Sequence, residues 1–585
     1  MTLHRAIPLL AATLITLLSP VQAQATTAPA SCTTTPRLSG SFLQPGLGDT
    51  WEPETWSQEL GVLGRACMDQ LVLQWTADSR AKETVYPTSM AGWTQGTETD
   101  VVEKALAAAD SAGMQVYLGL QVNDDWWNKY ADDTAWLDNE ATVANRIADE
   151  LWTKYRGHQS LTGWYLSFEV DNWNFGEAAD QAAMAAFYKK VADHLHTLSP
   201  GKPVVISPFF NTAGGLTTAQ WQSMWTTILA TSPIDVIALQ DGVGAGHATT
   251  GRLAAWFAAT KNAINAARPT TKLWADTETF TPDFTPMATK DIVADMRAVQ
   301  PYVSGYWSFS YDHYQSPLQV AAVHDAAYRD YLATGSVETV APTTPTGLTA
   351  TATGPLTVSL SWNASTDAIG VAGYQIIRNG VVVKNLQGTA TTFTDDGLDP
   401  STAYTYSVKA FDAAGNVSAA SSQKPATTPA APANPTNLAA GRAYTVSMPA
   451  AASYPDAGAE LTDGVYGAAT YGDAAWQGRN TAAPYSVVVD LGAAKRVKEV
   501  QSDWLQVKGV YIFLPKKVTY ETSSDGVAYT ALGSVNAPAA GDADQSRKYR
   551  LLGVDRTARY VRVTVEPVSS AWSMPDEIEV RTDTA

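Results

Sequence analysis

The chain of 585 residues carries a net charge of −18 at pH 7, is 45% hydrophobic and contains only two cysteines. Because domains usually hold roughly 100 to 200 residues, a chain of this length predicts several domains. The acidic balance argues against nucleic-acid binding, which depends on Lys and Arg, and the scattered His and Cys residues form no cluster at zinc-ligand spacing.

Residues 1–25 have the pattern of a secretory signal peptide. Arg5 supplies an early positive charge, residues 6–18 are apolar, and Val21-Gln-Ala23 offers a cleavage site with small residues. A membrane anchor is the alternative, but it needs an apolar run of roughly 20 residues. Since no later segment is apolar enough to span a bilayer, we expect a secreted protein without a membrane span. In an oxidising compartment Cys32 and Cys67 are expected to form a disulfide, the alternative being a buried thiol and an unpaired one.

Apolar strand-like runs alternate with helical patterns between residues 38 and 335, which is typical of parallel strands joined by crossover helices. The predicted strands cover residues 38–43, 70–75, 115–120, 161–168, 203–207, 236–239, 272–275 and 305–309. Eight such strands predict a (β/α)8 TIM barrel over residues 32–336. A doubly wound open sheet is the alternative, but the phosphate-binding loop that usually follows an early strand of that fold is missing from the sequence.

Short alternating strands follow a linker rich in Thr, Pro, Ala and Gly. Trp362, the Asn379-Gly380 hairpin turn and Tyr404 resemble the core tryptophan, turn and tyrosine corner of a fibronectin type III domain. The resemblance covers residues 342–428. It implies a β-sandwich that separates the barrel from whatever follows it.

A second all-β stretch occupies residues 433–585. The turn ending in Asp463-Gly464, Trp476, and the segments 489–492, 522–529, 558–563 and 576–580 are similar in order and spacing to a discoidin, or coagulation factor 5/8 type C, jelly roll. That resemblance implies a carbohydrate-binding module, with Tyr471, Trp476, Trp504 and Trp572 as candidates for a glycan platform or for the core. In such modules the positions of Asp463 and Glu577 often hold a structural calcium ion, and turn capping by Asp463 is the alternative.

Side chains that follow the barrel strands are expected to line the active site, which lies at the C-terminal ends of the strands in this fold. Amides, carboxylates and aromatic rings dominate there, as a sugar requires for its hydroxyl groups and its flat C–H faces. The Gly-rich residues 242–246 break the spacing of a dinucleotide loop and predict a tight turn at this rim. The candidate substrate-binding residues are Gln44, Gln74, Trp75, Asn123, Trp126, Trp127, Asp171, Asn172, Asn211, Gln240, Asp241, Asp276 and Tyr311.

Glu169 and Glu278 come just past the fourth and seventh predicted strands, on opposite sides of the barrel mouth. Their placement resembles the superfamily of retaining glycoside hydrolases in which the acid/base follows strand four and the nucleophile follows strand seven. The resemblance implies that Glu169 is the acid/base and Glu278 the nucleophile, with Asp241 and Asp276 as positioning or substitute carboxylates. Phe168 stands where the superfamily usually has Asn.

The first domain is also similar to a bacterial family of secreted barrels classed as glycoside hydrolases, as four segments indicate: 163–165, 169–172, 240–244 and 274–280. We therefore expect a secreted monomer that cleaves an extracellular polysaccharide or oligosaccharide, with no cofactor required for catalysis. A carboxyl separation of roughly 5 Å would mean retention of anomeric configuration, and one of roughly 6.5 to 9.5 Å inversion. The alternatives are a non-catalytic glycan-binding or adhesion protein, and a polysaccharide lyase or transglycosylase using the same cleft.

Overall fold

A computed structural model describes residues 32–568 and 571–583. The predicted signal peptide, residues 1–25, lies outside the described residues. None of the helices in the described part of the chain combines the length and the apolar character that a membrane span requires.

Eight parallel strands form a closed barrel, so the predicted TIM barrel is confirmed. Strands that follow one another in the chain pair side by side, and β8 closes on β1 with Gly40 opposite Trp307. The strands are β1 (Gly40–Leu43), β2 (Gln70–Leu73), β3 (Gln115–Gly119), β4 (Leu161–Leu166), β5 (Val204–Ile206), β6 (Val236–Gln240), β7 (Lys272–Glu278) and β8 (Tyr306–Phe309).

Long helices follow each strand and bury their apolar faces against the outside of the barrel. They are α1 (Pro53–Arg65), α2 (Val101–Ala112), α3 (Thr134–Tyr155), α4 (Ala178–Leu198), α5 (Thr218–Leu229), α6 (Thr250–Ala267), α7 (Thr289–Val299) and α8 (Val323–Thr334). Local sequence sets several helix ends. The Asp100 side chain accepts the Glu103 N–H to begin α2, and Gly113, at φ 68°, ends it.

Short helices and a small sheet lie at the mouth of the barrel. Short helices at Pro45–Gly48, Trp126–Lys129 and Tyr311–Tyr314 follow β1, β3 and β8. A small sheet joins Ala77–Asp78, Glu83–Thr84, Thr94–Gln95 and Gln121–Val122. The small sheet joins the segments that follow β2 and β3.

The inside of the barrel is filled by aromatic and β-branched side chains that form a separate cluster from the core between sheet and helices. Phe42 meets Tyr165 at a ring distance of 5.0 Å, and Tyr117 meets Trp307 at 4.9 Å, both edge to face. This packed interior closes the barrel axis, so any ligand site of the barrel must lie at its mouth.

Strand β7 is longer than the apolar pattern predicts. Residues 276–278 are polar and were expected to follow the strand, yet Asp276, Thr277 and Glu278 pair with Trp307, Ser308 and Phe309 of β8. The ladder of backbone hydrogen bonds continues past the apolar run because the neighbouring strand supplies partners there. Glu278 is therefore fixed in the sheet and is not part of a loop.

The N-terminal residues of the described chain are tied to the barrel. Cys32 and Cys67 are joined by a disulfide bond with a Cα–Cα distance of 5.5 Å, across a sequence separation of 35. The hydroxyl of Tyr331 in α8 donates to the carbonyl of Pro36 at 2.6 Å.

The fibronectin-like domain pairs two sheets. One contains Thr346–Gly354, Thr357–Asn363 and Thr392–Asp395, and the other contains Val371–Arg378, Val381–Gln387, Ala403–Asp412 and Lys424–Thr427. Trp362 lies in the core, and the hydroxyl of Tyr404 accepts the Asp399 N–H at 2.9 Å, as a tyrosine corner does.

The C-terminal domain is a second sandwich. Its larger sheet contains Tyr444–Val446, Tyr485–Val497, Lys517–Ser523, Thr530–Asn536 and Arg556–Glu566; its smaller sheet contains Thr436–Asn437, Glu499–Gln506, Gln545–Leu551 and Pro575–Thr582. A two-stranded antiparallel sheet pairs Arg479–Asn480 with Trp572–Ser573, and 3-10 turns lie at Glu460–Thr462 and Lys508–Val510. The all-β fold predicted for both C-terminal domains is confirmed.

Both junctions of the fibronectin-like domain are hydrogen-bonded. Toward the barrel, the N–H groups of Thr289 and Lys290 donate to the carbonyls of Ala413 and Ala414 at 2.9 and 3.1 Å. An apolar patch that includes Ala327 of α8 supports this contact. Toward the C-terminal domain, three hydrogen bonds span the junction: Arg547 Nη2 to Gly397 O at 2.8 Å, Arg378 Nη2 to Ala539 O at 3.2 Å, and Gly541 N to Val383 O at 3.0 Å.

Candidate active site

Glu169 and Glu278 both lie at the mouth of the barrel. Glu169 stands three residues past the end of β4, and Glu278 is the last residue of β7. Both side chains are buried, with 7% and 2% of their surface exposed. Glu169 has Gln240, at the end of β6, as its hydrogen-bond partner, and Glu278 Oε2 accepts the backbone N–H of Ala245 at 2.7 Å.

The two glutamates have different electrostatic environments. Burial raises the pKa of Glu169 to about 8, against the lowering effect of the Gln240 hydrogen bond and with a further increase from the Asp171 charge. Glu169 is therefore protonated at neutral pH and can donate a proton. Glu278 receives a backbone N–H, an interaction that favours the ionised form of a carboxyl group.

Asp276 lies near both glutamates. Burial raises its pKa well above the ordinary range, the hydroxyl of Ser207 opposes that rise with a hydrogen bond of 2.9 Å, and the charges of Glu278 and Glu169 both add to it. The carboxyl group of Asp276 therefore lies within electrostatic range of both glutamates. Burial also raises the pKa of Asp241 well above the ordinary range, and the charges of Asp295 and Glu278 add to this rise.

Residues 242–246 form the predicted tight turn beside Glu278. The N–H of His247 donates to the Gly242 carbonyl at 2.8 Å, and Gly242 and Gly246 take φ values of 68° and 74°. Gly244 packs directly against the end of β7. A Cβ atom at Gly244 would lie 2.4 Å from the Phe280 carbonyl oxygen and 2.9 Å from the Cβ of Glu278.

We expect the Gly244→Ala variant to displace the carboxylate of Glu278 from the Ala245 N–H. Steric conflict with backbone at this distance costs about 1 to 3 kcal/mol of stability. Thermal unfolding measures the loss. The control is Gly251→Ala in α6, where a Cβ atom meets nothing within 4 Å. Wild-type stability in Gly244→Ala would contradict this close packing of the turn against Glu278.

Five of the predicted substrate-binding residues are partly exposed at the rim: Gln44, Gln74, Trp75, Trp127 and Asn211. Gln44 and the Gln74-Trp75 pair follow β1 and β2, Trp127 follows β3, and Asn211 follows β5. Trp127 and Phe209 place their rings 6.5 Å apart. Gln240, Asp241 and Asp276 are buried, but they surround Glu169 and Glu278 as described above.

Trp126 and Tyr311 are not at the rim surface, which corrects their assignment as substrate contacts. Trp126 is 2% exposed and stacks on Phe168 at 4.9 Å, because the short helix that starts at Trp126 turns this ring inward and its neighbour outward. Tyr311 is fully buried, and its hydroxyl donates to Asp325 at 2.9 Å.

Three polar candidates hold loops in place. The amide of Asn123 donates to the Ser79 hydroxyl at 2.8 Å. The amide of Asn172 donates to the carbonyls of Asn211 and Gly214 at 3.0 and 2.8 Å. Asp171 accepts the N–H groups of the two residues that follow Asn172, at 2.7 and 2.8 Å. These buried groups support the geometry around Glu169 and the β5 loop, and the sequence does not distinguish that role from substrate contact.

Two exposed aromatic residues of the rim were missed. Trp173 is 46% exposed and lies over Gly214, and Phe284 is 59% exposed and stacks on Phe280 at 5.8 Å. Both lie in loops several residues beyond a strand. The sequence could have indicated them, because they lie in the β4 and β7 loops, just beyond Glu169 and Glu278.

The aromatic candidates of the C-terminal domain also divide into buried and exposed residues. Trp476 and Trp504 are each 1% exposed and belong to the core, whereas Tyr471 is 42% exposed and Trp572 is partly buried. Glu577 Oε2 accepts the Gly464 N–H at 3.0 Å, and Asp463 Oδ1 accepts the Val465 N–H at 2.8 Å.

Glu577 fits the chemistry of a cation ligand. Burial raises its pKa to about 8, the Gly464 hydrogen bond opposes the rise, and the charges of Glu579, Asp463 and Asp576 add to it. Within the described residues, the buried atoms Glu577 Oε1 and Asp576 Oδ1 have no hydrogen-bond partner. Buried carboxyl oxygen atoms without a hydrogen-bond partner are the hard ligands that Ca²⁺ prefers.

Comparison with known proteins matches each domain to a family. Residues 38–321 match the family described as Domain of unknown function (DUF4434), residues 343–428 match the fibronectin type III domain, and residues 449–578 match the F5/8 type C domain.

Curated relatives share parts of the chain. Chitinase Chi52 of Paenibacillus xylanexedens is 49% identical over 102 residues, which cover 17% of this chain and 19% of the relative. Exoglucanase B of Cellulomonas fimi is 46% identical over 131 residues, which cover 22% of this chain and 12% of the relative. The chain thus spans less than a fifth of the length of these relatives.

A crystal structure assigned as an alpha-L-fucosidase, from Bacteroides thetaiotaomicron, is 21% identical with a TM-score of 0.44, covering 54% of this chain and 99% of its own. The N-terminal barrel domain thus matches the DUF4434 family, and the two β-domains that follow it match the fibronectin type III and F5/8 type C families.

Proposed function

We propose that the protein hydrolyses glycosidic bonds of a polysaccharide or oligosaccharide at the barrel mouth. The observation that carries the proposal is the pair of glutamates with opposed environments, one with its pKa raised to about 8 and one held by a backbone N–H. A glycosidase requires such a pair, because one carboxyl group must donate a proton while the other is ionised.

In this mechanism Glu169 protonates the glycosidic oxygen as the bond from that oxygen to the anomeric carbon breaks. The ionised carboxylate of Glu278 attacks the anomeric carbon from the opposite face and forms a glycosyl ester. Glu169, now ionised, takes a proton from water, and the resulting hydroxide attacks the same carbon to release Glu278. Both steps invert that carbon, so the product keeps the configuration of the substrate. The anomer formed first, observed by NMR, tests retention.

The residues around the pair support binding of a sugar. Partly exposed Trp75, Trp127 and Asn211 offer ring faces and an amide to a pyranose and its hydroxyl groups. The names of the relatives, a chitinase and an exoglucanase, agree with a polysaccharide as substrate. The F5/8 type C domain would then hold the protein on its glycan, and the disulfide agrees with action outside the cytoplasm.

A release assay on bacterial, fungal and plant polysaccharides tests the proposal, with Glu278→Gln as the control. New reducing ends that depend on Glu278 support hydrolysis. Binding without cleavage across the panel would instead establish a glycan-binding protein. Unsaturated product ends would establish a lyase, and net transfer of sugar units a transglycosylase.

We also propose that Asp463 and Glu577 help to hold a structural calcium ion. Calcium should raise the melting temperature of the protein by about 5 to 10 °C, since a ligand at 100 times its dissociation constant contributes about 2.7 kcal/mol, and each 1 kcal/mol shifts the melting temperature of a domain of this size by about 2 to 4 °C. A chelator should reverse the shift. Thermal unfolding of wild type and of Glu577→Gln, each with and without calcium, measures it; an equal response in both would contradict the assignment.

A further inference from the structure

One loop of the C-terminal domain reaches the mouth of the barrel. Lys508 Nζ lies 3.3 Å from Asp283 Oδ1, in the loop that follows β7, and 2.6 Å from Asp542 Oδ1 of its own domain. Three residues further on, the hydroxyl of Tyr511 donates to the Ala245 carbonyl at 3.4 Å. The loop of residues 508–513 thus contacts the barrel on both sides of Glu278, at the 242–246 turn and at the β7 loop.

Ala245 links the Tyr511 contact to the candidate active site. The N–H of Ala245 donates to Glu278 Oε2 at 2.7 Å, while its carbonyl accepts the Tyr511 hydroxyl. Burial raises the pKa of Tyr511, and the charge of Glu278 adds to that rise, so the phenol lies within electrostatic range of the carboxylate. A residue of the C-terminal domain is therefore a neighbour of the proposed nucleophile.

The loop is built to hold Tyr511 in one place. Val507 and Ile512 exchange backbone hydrogen bonds of 2.9 and 3.1 Å, and both side chains pack into a small core with Trp476. The Tyr511 carbonyl accepts the Trp572 N–H at 2.8 Å. Tyr511 itself takes a left-handed conformation, φ 59° and ψ 35°, which non-glycine residues rarely adopt unless the surrounding structure enforces it.

The rest of the chain fixes the loop in this position. The fibronectin-like domain is hydrogen-bonded to α7 of the barrel through Ala413 and Ala414, and to the C-terminal domain through Gly397 and Val383. Together with the Lys508 ion pair, these contacts close a ring of three domains. The domain contacts hold the C-terminal domain against the barrel, and the Lys508 ion pair holds residues 508–513 beside Glu278.

We propose that residues 508–513 form one wall of the substrate cleft, and that the Tyr511 ring contacts a sugar unit next to the bond on which Glu278 acts. This inference rests on the proposed function. A partly exposed aromatic ring with a polar end suits the C–H face of a pyranose. The barrel alone lacks this wall, so the active site is incomplete without the C-terminal domain. The substrate is accordingly an oligosaccharide or polysaccharide chain that extends past the scissile bond toward β6 and β7.

Substitutions at Tyr511 in the full-length protein test the inference. Tyr511→Ala should lower kcat/KM for oligosaccharides by about tenfold, mainly through a higher KM, because the ring contact with the neighbouring sugar is lost. Tyr511→Phe retains the ring and should keep most of the activity. Tyr529→Ala is the control, since Tyr529 is a partly buried tyrosine of the same domain that stacks on Arg562.

A second variant reports on the position of the loop without any substrate. Lys508→Glu opposes Asp283 and Asp542 with a like charge and should release the loop. Hydrogen exchange should then increase in peptides that contain residues 242–246 and 508–513, and kcat/KM should fall as in Tyr511→Ala. Unchanged exchange with unchanged activity would overturn the inference.

The outcomes separate this inference from the proposed function. If wild type hydrolyses oligosaccharides and Tyr511→Ala does so equally well, the wall is rejected and the proposed function stands. If wild type hydrolyses none of them, the proposed function is rejected. The affinities of wild type and Tyr511→Ala for oligosaccharides then test whether residues 508–513 contact a sugar. Equal affinities of wild type and Tyr511→Ala, or no binding by either, would then reject the wall as well.

Discussion

Replacing Glu278 with glutamine should lower the rate of glycan hydrolysis by about 10³-fold or more, because the amide cannot attack the anomeric carbon or activate water. The shape of the side chain is retained, and the amide oxygen can still accept the Ala245 N–H. The melting temperature should therefore stay close to that of wild type. Initial rates on the substrate identified by the release assay, together with thermal unfolding, measure both quantities.

A chemical rescue assigns the role of Glu278 more narrowly. In Glu278→Ala, azide can enter the space of the missing carboxylate and attack the anomeric carbon, giving a glycosyl azide of inverted configuration. Asp276→Ala is the comparison, since the carboxyl group of Asp276 lies within electrostatic range of both glutamates. Rescue of Asp276→Ala with no rescue of Glu278→Ala would move the nucleophile to Asp276. Wild-type rates in Glu278→Gln would reject the mechanism.

Hydrolysis should decline as the pH rises through about 8, because Glu169 then loses the proton that it must donate. Glu169→Gln should be slower by about 10² to 10⁴-fold on substrates with poor leaving groups, and this alkaline decline should disappear from its residual activity. The pH dependence of kcat/KM measures the effect in the free enzyme. A wild-type rate that stays constant through pH 9 would contradict the assignment of Glu169 as the acid.

Stability should show the same titration. The pKa of Glu169 is 4.5 when unperturbed and about 8 in the folded protein, so between these values the folded state retains a proton that the unfolded state has lost. The stability that this proton contributes is fully present below about pH 4.5 and is lost as the pH rises through about 8. Glu169→Gln should therefore gain a few kcal/mol relative to wild type between pH 5 and pH 9. Urea unfolding at both pH values measures the difference.

The barrel was predictable because its strands are short apolar runs separated by amphipathic helices, and the two glutamates because strand ends converge in this fold. The end of β7 was not predictable, because residues 276–278 are polar although their backbone pairs with β8. Polarity alone therefore placed the end of the strand too early. The adjacent pair Trp126 and Trp127 shows the same limit. One helical turn sends the first ring to the core and the second to the rim.

The contact of Tyr511 with Ala245 was beyond sequence reasoning for another reason. It joins positions 266 residues apart through the packing of a third domain. The linker rich in Thr, Pro, Ala and Gly before the fibronectin-like domain predicted a spacer, and such a composition does not reveal whether the domains that it joins are docked. The hydrogen bonds at both junctions decide that question.

The docked fibronectin-like domain changes how the C-terminal domain can act on a glycan. A module on a flexible linker raises the local concentration of any substrate within the reach of the linker. Here the contacts at Ala413, Ala414 and Gly397 hold the module at one distance and one angle from the barrel mouth. With the glycan binding proposed for this module, avidity is expected only for glycans whose own geometry bridges the two positions, so the fixed spacing between the domains would select the shape of the polymer.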